Sequence, residues 1–166
     1  MKLVPIEHEN LEQLREWRND PDIYKWCRQI TLLSRQNQID WFDYQSEAEN
    51  ILMFYIKSKT GLGLGVCGLT SIDYICRRAE FSLYIQPEEC GNGYGGEALT
   101  MLLNVAFNDL NLNLVWGESF EGNPAMKMFE KIGFKKEGIR RQFYYKDGKY
   151  VDAHLCSITR SEFDGI

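Results

Sequence analysis

The chain has 166 residues, 44% hydrophobic, 13% aromatic and 26% charged, the profile of one soluble globular domain spanning residues 1–166 around a single core. A net charge of -5 and a pI near 5.1 speak against a nucleic-acid footprint and suit a cationic or amine ligand better. No apolar run approaches the roughly 20 residues that span a bilayer, and MKLVPIEHEN lacks the apolar stretch of a signal peptide. The five cysteines are scattered without a CxxC pair, which points to reduced thiols, a cytoplasmic location and no metal site.

KLVPIE (2–7) reads as a first strand, near an edge because Pro5 cannot donate to a ladder. Asn10 is placed to cap a helix running to Asn19, with Leu11, Leu14 and either Trp17 or Arg18 on one side. Pro21 ends it and opens a short second helix, and Ser34 caps a third over RQNQIDWFDYQS. ILMFYIKS, the Thr60-Gly61 turn and GLGVCGLTSIDY then make an antiparallel pair whose glycines fit close backbone approach. In AEFSLYIQP, Ala79, Phe81, Leu83 and Ile85 alternate with Glu80, Ser82 and Tyr84 until Pro87 stops the strand. After CGNGYGGEAL a helix carries Ala98, Leu99, Leu102, Ala106 and Leu110 at core spacing. LNLVWGES is the next strand, Pro124 opens a helix that Gly133 closes, and IRRQFYYKDGKYVDAHLCSI is a hairpin turning at Asp147-Gly148.

Four glycines within the six residues Gly91 to Gly96, at the opening of a helix, suit a phosphate held by bare N–H groups. The spacing Gly91-x-Gly93-x-x-Gly96 also matches the dinucleotide fingerprint, and Glu118 supplies an acid downstream. The antiparallel meander before the loop and the absence of a second βαβ set argue against that reading. Gly-Lys-Ser/Thr is missing, so a P-loop fits less well still, and the similar Gly63 to Gly68 run lies inside a strand.

In this order of elements, AEFSLYIQPEECGNGYGGEAL (79–99) and NPAMKMFEKIGF (123–134) resemble the GNAT superfamily of acetyl-CoA-dependent N-acetyltransferases. LREWRNDP and EGIRRQFYYKDGKYVDAHLCSI look like its branch acting on ribosomal-protein N-termini, nucleotide-linked amino sugars and polyamines. IDYICRRAEFSLYIQP is similar to spermidine acetyltransferases, whereas LREWRNDPDIYKWC looks more like the amino-sugar enzymes. The resemblance implies an α/β (α+β) domain with a mixed, mostly antiparallel sheet of about seven strands flanked by helices. It implies acetyl-CoA as cosubstrate, no metal, and direct acetyl transfer to a primary amine on a small molecule or peptide. It leaves a homodimer open, and a non-catalytic acyl-CoA-binding module stands as the alternative.

Carried over residue by residue, the resemblance makes Gly91, Asn92, Gly93, Tyr94, Gly95 and Gly96 the pyrophosphate cradle, although Cys90 stands where the family has Gln or Arg. Leu83, Tyr84 and Ile85 would pair through their backbone with the pantetheine arm. Asn123 either contacts that arm or caps the following helix. Phe129 occupies a cofactor-side position where many members carry a proton-donating tyrosine, and phenylalanine cannot donate. Glu80 is the candidate base, or else a strand glutamate paired with Arg77 or Arg78. Tyr84 and Ser119 are candidate proton donors. Trp26, Trp41 and Tyr44 are either acceptor-pocket aromatics or core.

Overall fold

The computed structural model describes residues 1–163. In its first half run β1 (Lys2–Val4), α1 (Leu11–Asn19), α2 (Pro21–Tyr24), α3 (Arg35–Glu47), β2 (Leu52–Lys57), β3 (Gly63–Asp73) and β4 (Arg78–Ile85). Then come α4 (Tyr94–Asn104), β5 (Leu114–Phe120), α5 (Ala125–Ile132), β6 (Lys135–Lys146), β7 (Lys149–Thr159) and α6 (Arg160–Phe163). The strands form one seven-stranded sheet in the order β1-β2-β3-β4-β5-β7-β6, antiparallel throughout except between β4 and β5.

A core lies on each face. Ala98, Leu99, Leu102 and Leu103 of α4 are buried against Cys67, Leu69, Ala79 and Phe81, with Phe129 of α5 and Phe134 closing the same cluster. On the other face Leu11, Leu14 and Trp17 of α1 pack with Ile23, Tyr55 and Val66. β3 is therefore covered on both sides, which is why it reads as an almost unbroken apolar run. Its glycines are required by neighbours: a Cβ at Gly65 would sit 2.2 Å from the Tyr84 carbonyl, and one at Gly68 2.4 Å from that of Leu52. The second fingerprint match is thus a packing feature of the sheet.

Local differences from the sequence reading have local causes. β1 stops at Val4, ahead of Pro5. Asn10 does not cap α1 with its side chain; its Oδ1 accepts from Glu7 N at 2.9 Å and closes a 3-10 turn over His8–Asn10 instead. Ser34 does cap α3, in a reciprocal box with Asn37. α4 runs on past Asn104 as a π turn over Val105–Asp109, so Ala106 stays buried while Leu110 is only half-buried. Pro124 occupies the N-cap of α5, one residue earlier than the first-turn position its ring suggested.

Candidate active site

β4 and β5 pair in parallel over three residues only, Arg78↔Leu114, Ala79↔Val115 and Glu80↔Trp116. Beyond Glu80, β4 stays with β3 as far as Ile85, while β5 stays with β7 as far as Phe120. The two halves of the sheet part there, and the facing edges of residues 81–85 and 117–120 share no ladder. Unpaired strand edges accept an extended partner through main-chain hydrogen bonds. Leu83, Tyr84 and Ile85 lie on this open arm. Phe81 crosses at its root against Gly117, where a Cβ would fall 2.3 Å from the ring.

α4 begins beside the same opening. Gly93 is its N-cap at φ 85° and Gly91 lies at φ 86°, a left-handed conformation that L side chains resist, and a Cβ on either would meet open space. The first helical bond runs from Glu97 N to Gly93 O at 3.2 Å. Hence the amides of Tyr94, Gly95 and Gly96 have no preceding turn to donate to and present a positive helix end. Asn92 is tied to Glu89 (3.0 Å), and the Cys90 thiol points back toward the carbonyls of Ile85 and Gln86 rather than into the loop's mouth. Cys90 therefore leaves the main-chain cradle clear, and the loop fits a diphosphate.

The register that pairs Glu80 with Trp116 puts Glu118 on the same sheet face, one pleat further along. Both carboxylates are nearly buried, with 9% and 3% of their side chains exposed. Arg28, from the segment between α2 and α3, donates through Nη2 to Glu80, and its Nε lies 3.7 Å from Glu118. Arg140 Nη1 donates to Glu118 at 2.9 Å, and the Tyr144 hydroxyl donates to its other oxygen. Burial and the Glu118 carboxylate push the Tyr144 phenol up to about 12. Burial by itself would lower Arg28, but the adjoining Glu80 carboxylate raises it above its usual range. The result is a cluster of two carboxylates, two guanidiniums and a neutral phenol beside the point where the sheet opens.

Glu80 thus has a cationic partner, but neither of the arginines next to it in sequence. Arg77 binds Asn111, and Arg78 pairs with Asp73 at 3.4 Å. Arg28, Glu118, Arg140 and Tyr144 were not legible as site residues. Glu118 stood out only as the acid of the rejected dinucleotide fingerprint; its alternation with Trp116 along β5 is the signal that places it here. Tyr84 shares the Glu80 face, half-buried under Arg18, whose guanidinium lies 5.6 Å from the ring centre. Burial raises its phenol, so it holds its proton firmly. Ser119, one residue past Glu118, belongs to the opposite face and is not brought to the carboxylates. Phe129 is packed edge-on against Phe81 at 5.0 Å. Asn123 Oδ1 receives Ala125 N at 2.9 Å, a cap on α5. Trp41 packs into the α1 core and Tyr44 is exposed.

The sheet parts between two parallel strands, with a glycine-opened helix beyond the end of one arm and buried carboxylates at the root, and this gives an extended, diphosphate-bearing ligand a place to lie. The family model for the acetyltransferase (GNAT) domain matches residues 1–135, and the chain belongs to that family. It is an acetyl-CoA-dependent N-acetyltransferase. Among relatives, it is similar to the spermidine N(1)-acetyltransferase of Escherichia coli K12, 26% identical over 98% of this chain and 88% of that one. An uncharacterized N-acetyltransferase, p20 of Bacillus licheniformis, is 25% identical over 99% and 96% of the two chains. Spermidine N-acetyltransferase from Vibrio cholerae, solved with CoA and spermine, has the same fold, with a TM-score of 0.93 over 98% of this chain and 96% of that one at 24% identity.

Proposed function

We propose that the acceptor is a cationic alkyl amine of the polyamine kind, and that Glu80 takes up the proton the amine must lose. The observation that carries this is the pair of nearly buried carboxylates, Glu80 and Glu118, on one sheet face at the root of the gap. A buried carboxylate requires a cationic or hydrogen-bonding partner, and an ammonium supplies both. The relatives named as spermidine N(1)-acetyltransferases support the same choice and bring polyamines ahead of nucleotide-linked amino sugars and protein N-termini.

In this reading the amides of residues 94–96 and the glycine turn hold the diphosphate, and the open edge at Leu83–Ile85 aligns the extended arm. An alkyl ammonium has a reference pKa of about 10.4, so it must be deprotonated before it can attack. Glu80 receives that proton, directly or through one water, before the neutral amine attacks; as the C–N bond forms and the C–S bond breaks, the nitrogen gives up its second proton to the departing thiolate or to water. Phe129 offers no proton to the departing sulfur. A thiol of pKa about 8.5 is a fair leaving group without a protein donor, and Tyr84, which keeps its proton, is the phenol on the correct face if one is used. Thiol release measured with spermidine, spermine, an amino-sugar nucleotide and a peptide N-terminus tests the acceptor. We expect turnover with the first two; turnover confined to the nucleotide or the peptide overturns the assignment.

A further inference from the structure

Arg28 sits where a bound cation belongs. Its side chain is half exposed, yet it reaches two carboxylates that are almost wholly buried. These carboxylates are unequally supplied. Glu118 is held from within its own half of the sheet, by Arg140 at 2.9 Å and by the Tyr144 hydroxyl. Glu80, among the described residues, meets one cation, and that cation comes from an irregular segment. The grip is not the two-pronged fork by which arginine usually locks a carboxylate, since the second contact, to Glu118, is 3.7 Å.

The main chain on both sides of Arg28 is fixed. Lys146 Nζ donates to the carbonyls of Cys27 (3.1 Å) and Gln29 (2.8 Å), and Arg18 binds the Gln29 side chain at 2.9 and 3.0 Å. The guanidinium can therefore leave by turning about its own side-chain bonds while the segment stays in place. Its departure would leave two carboxylates against Arg140 alone, a site short of one positive charge. An incoming ammonium restores the balance, one cation out and one in.

We propose that Arg28 is a built-in stand-in for the acceptor's ammonium group, occupying Glu80 between turnovers and yielding to the incoming cation. This rests on the reading that the acceptor is a cation. It also adds specificity, because an amine without a positive charge at the docking step has nothing to exchange for the guanidinium. Apparent affinity falls by the fraction of molecules in which Arg28 has moved aside.

Two measurements test it. In nitrogen-15 spectra of the wild-type protein, the Arg28 Nε–H resonance, identified by its loss in Arg28→Gln, should shift or vanish as ethylammonium is titrated. Sodium at equal ionic strength should leave it in place, and a resonance indifferent to ethylammonium overturns the exchange. In steady-state assays, Arg28→Gln should lower the KM for spermidine by about tenfold, the factor set by one open molecule in ten, with the KM for acetyl-CoA unchanged. A raised KM, or a lowered kcat at unchanged KM, overturns the proposal and makes Arg28 a positioning residue for Glu80. Should spermidine prove no substrate of either protein, the acceptor reading falls and the ethylammonium titration alone decides the exchange.

Discussion

Glu80, the base proposed above, was visible before the fold was. Strict alternation from Ala79 to Ile85 separated it from the apolar face, and its resemblance to the family's strand glutamate marked it out. What alternation could not give was its partner. Arg28 lies 52 positions away on a segment without regular structure, and no periodicity points from one to the other. We expect Glu80→Gln to lower kcat by about 100-fold or more, the lower end for loss of a general base, with acetyl-CoA affinity unchanged. Gln keeps the shape and loses the charge. Equal turnover of variant and wild type between pH 6 and 9 would remove Glu80 from the proton path.

At the scale of elements, the glycine turn and α4 make one unit. Gly93 needs its φ of 85°, and the space around its missing Cβ is open, so a larger residue is resisted by the backbone and not by a neighbour. Gly93→Val should strain the turn by about 1–2 kcal/mol or move it, and weaken acetyl-CoA binding about tenfold by misdirecting the first amides of α4. Calorimetric titration giving a wild-type Kd would contradict the cradle. The final hairpin was legible for a related reason. Asp147 and Gly148 both have positive φ (50° and 79°), the two-residue turn that an Asp-Gly pair announces. The parallel ladder of β4 and β5 was not legible, because three residue pairs joined across a crossover leave no pattern in either strand.

The same hairpin anchors the segment that carries Arg28. Lys146 is buried at 7% exposure and gives its ammonium to two carbonyls, with the Tyr24 ring 3.6 Å away. Lys146→Met keeps the apolar stem and removes the donor, leaving the carbonyls of Cys27 and Gln29 without it. The loss should be about 1–3 kcal/mol, a Tm lower by several degrees. An unchanged Tm would mean that the Arg18 bonds to the Gln29 side chain hold the segment without Lys146.

For the whole molecule, the gap exists because two antiparallel halves, β1–β4 and β5-β7-β6, are joined by one short ladder. Contacts that close the outer half therefore bear on how widely it parts. One clasp lies at its end. Glu162 accepts from Thr159 N at 2.8 Å and pairs with Lys135 at 2.6 Å, tying α6 to the start of β6, while Phe163 packs 5.4 Å from Phe107. Lys135 and the Thr159 amide hold the Glu162 carboxyl down at about 2, against an ordinary value of 4.5. A group that binds its proton more weakly when folded contributes stability above its unfolded pKa and loses it as pH falls toward the folded one. Glu162→Gln keeps an acceptor for the Thr159 amide but no charge for Lys135. Its urea midpoint should therefore lie below that of the wild type by a constant interval from neutral pH to about pH 5 and converge with it between about 4.5 and 2. An interval that persists unchanged to the acid end would show that the clasp acts through shape and not through its charge.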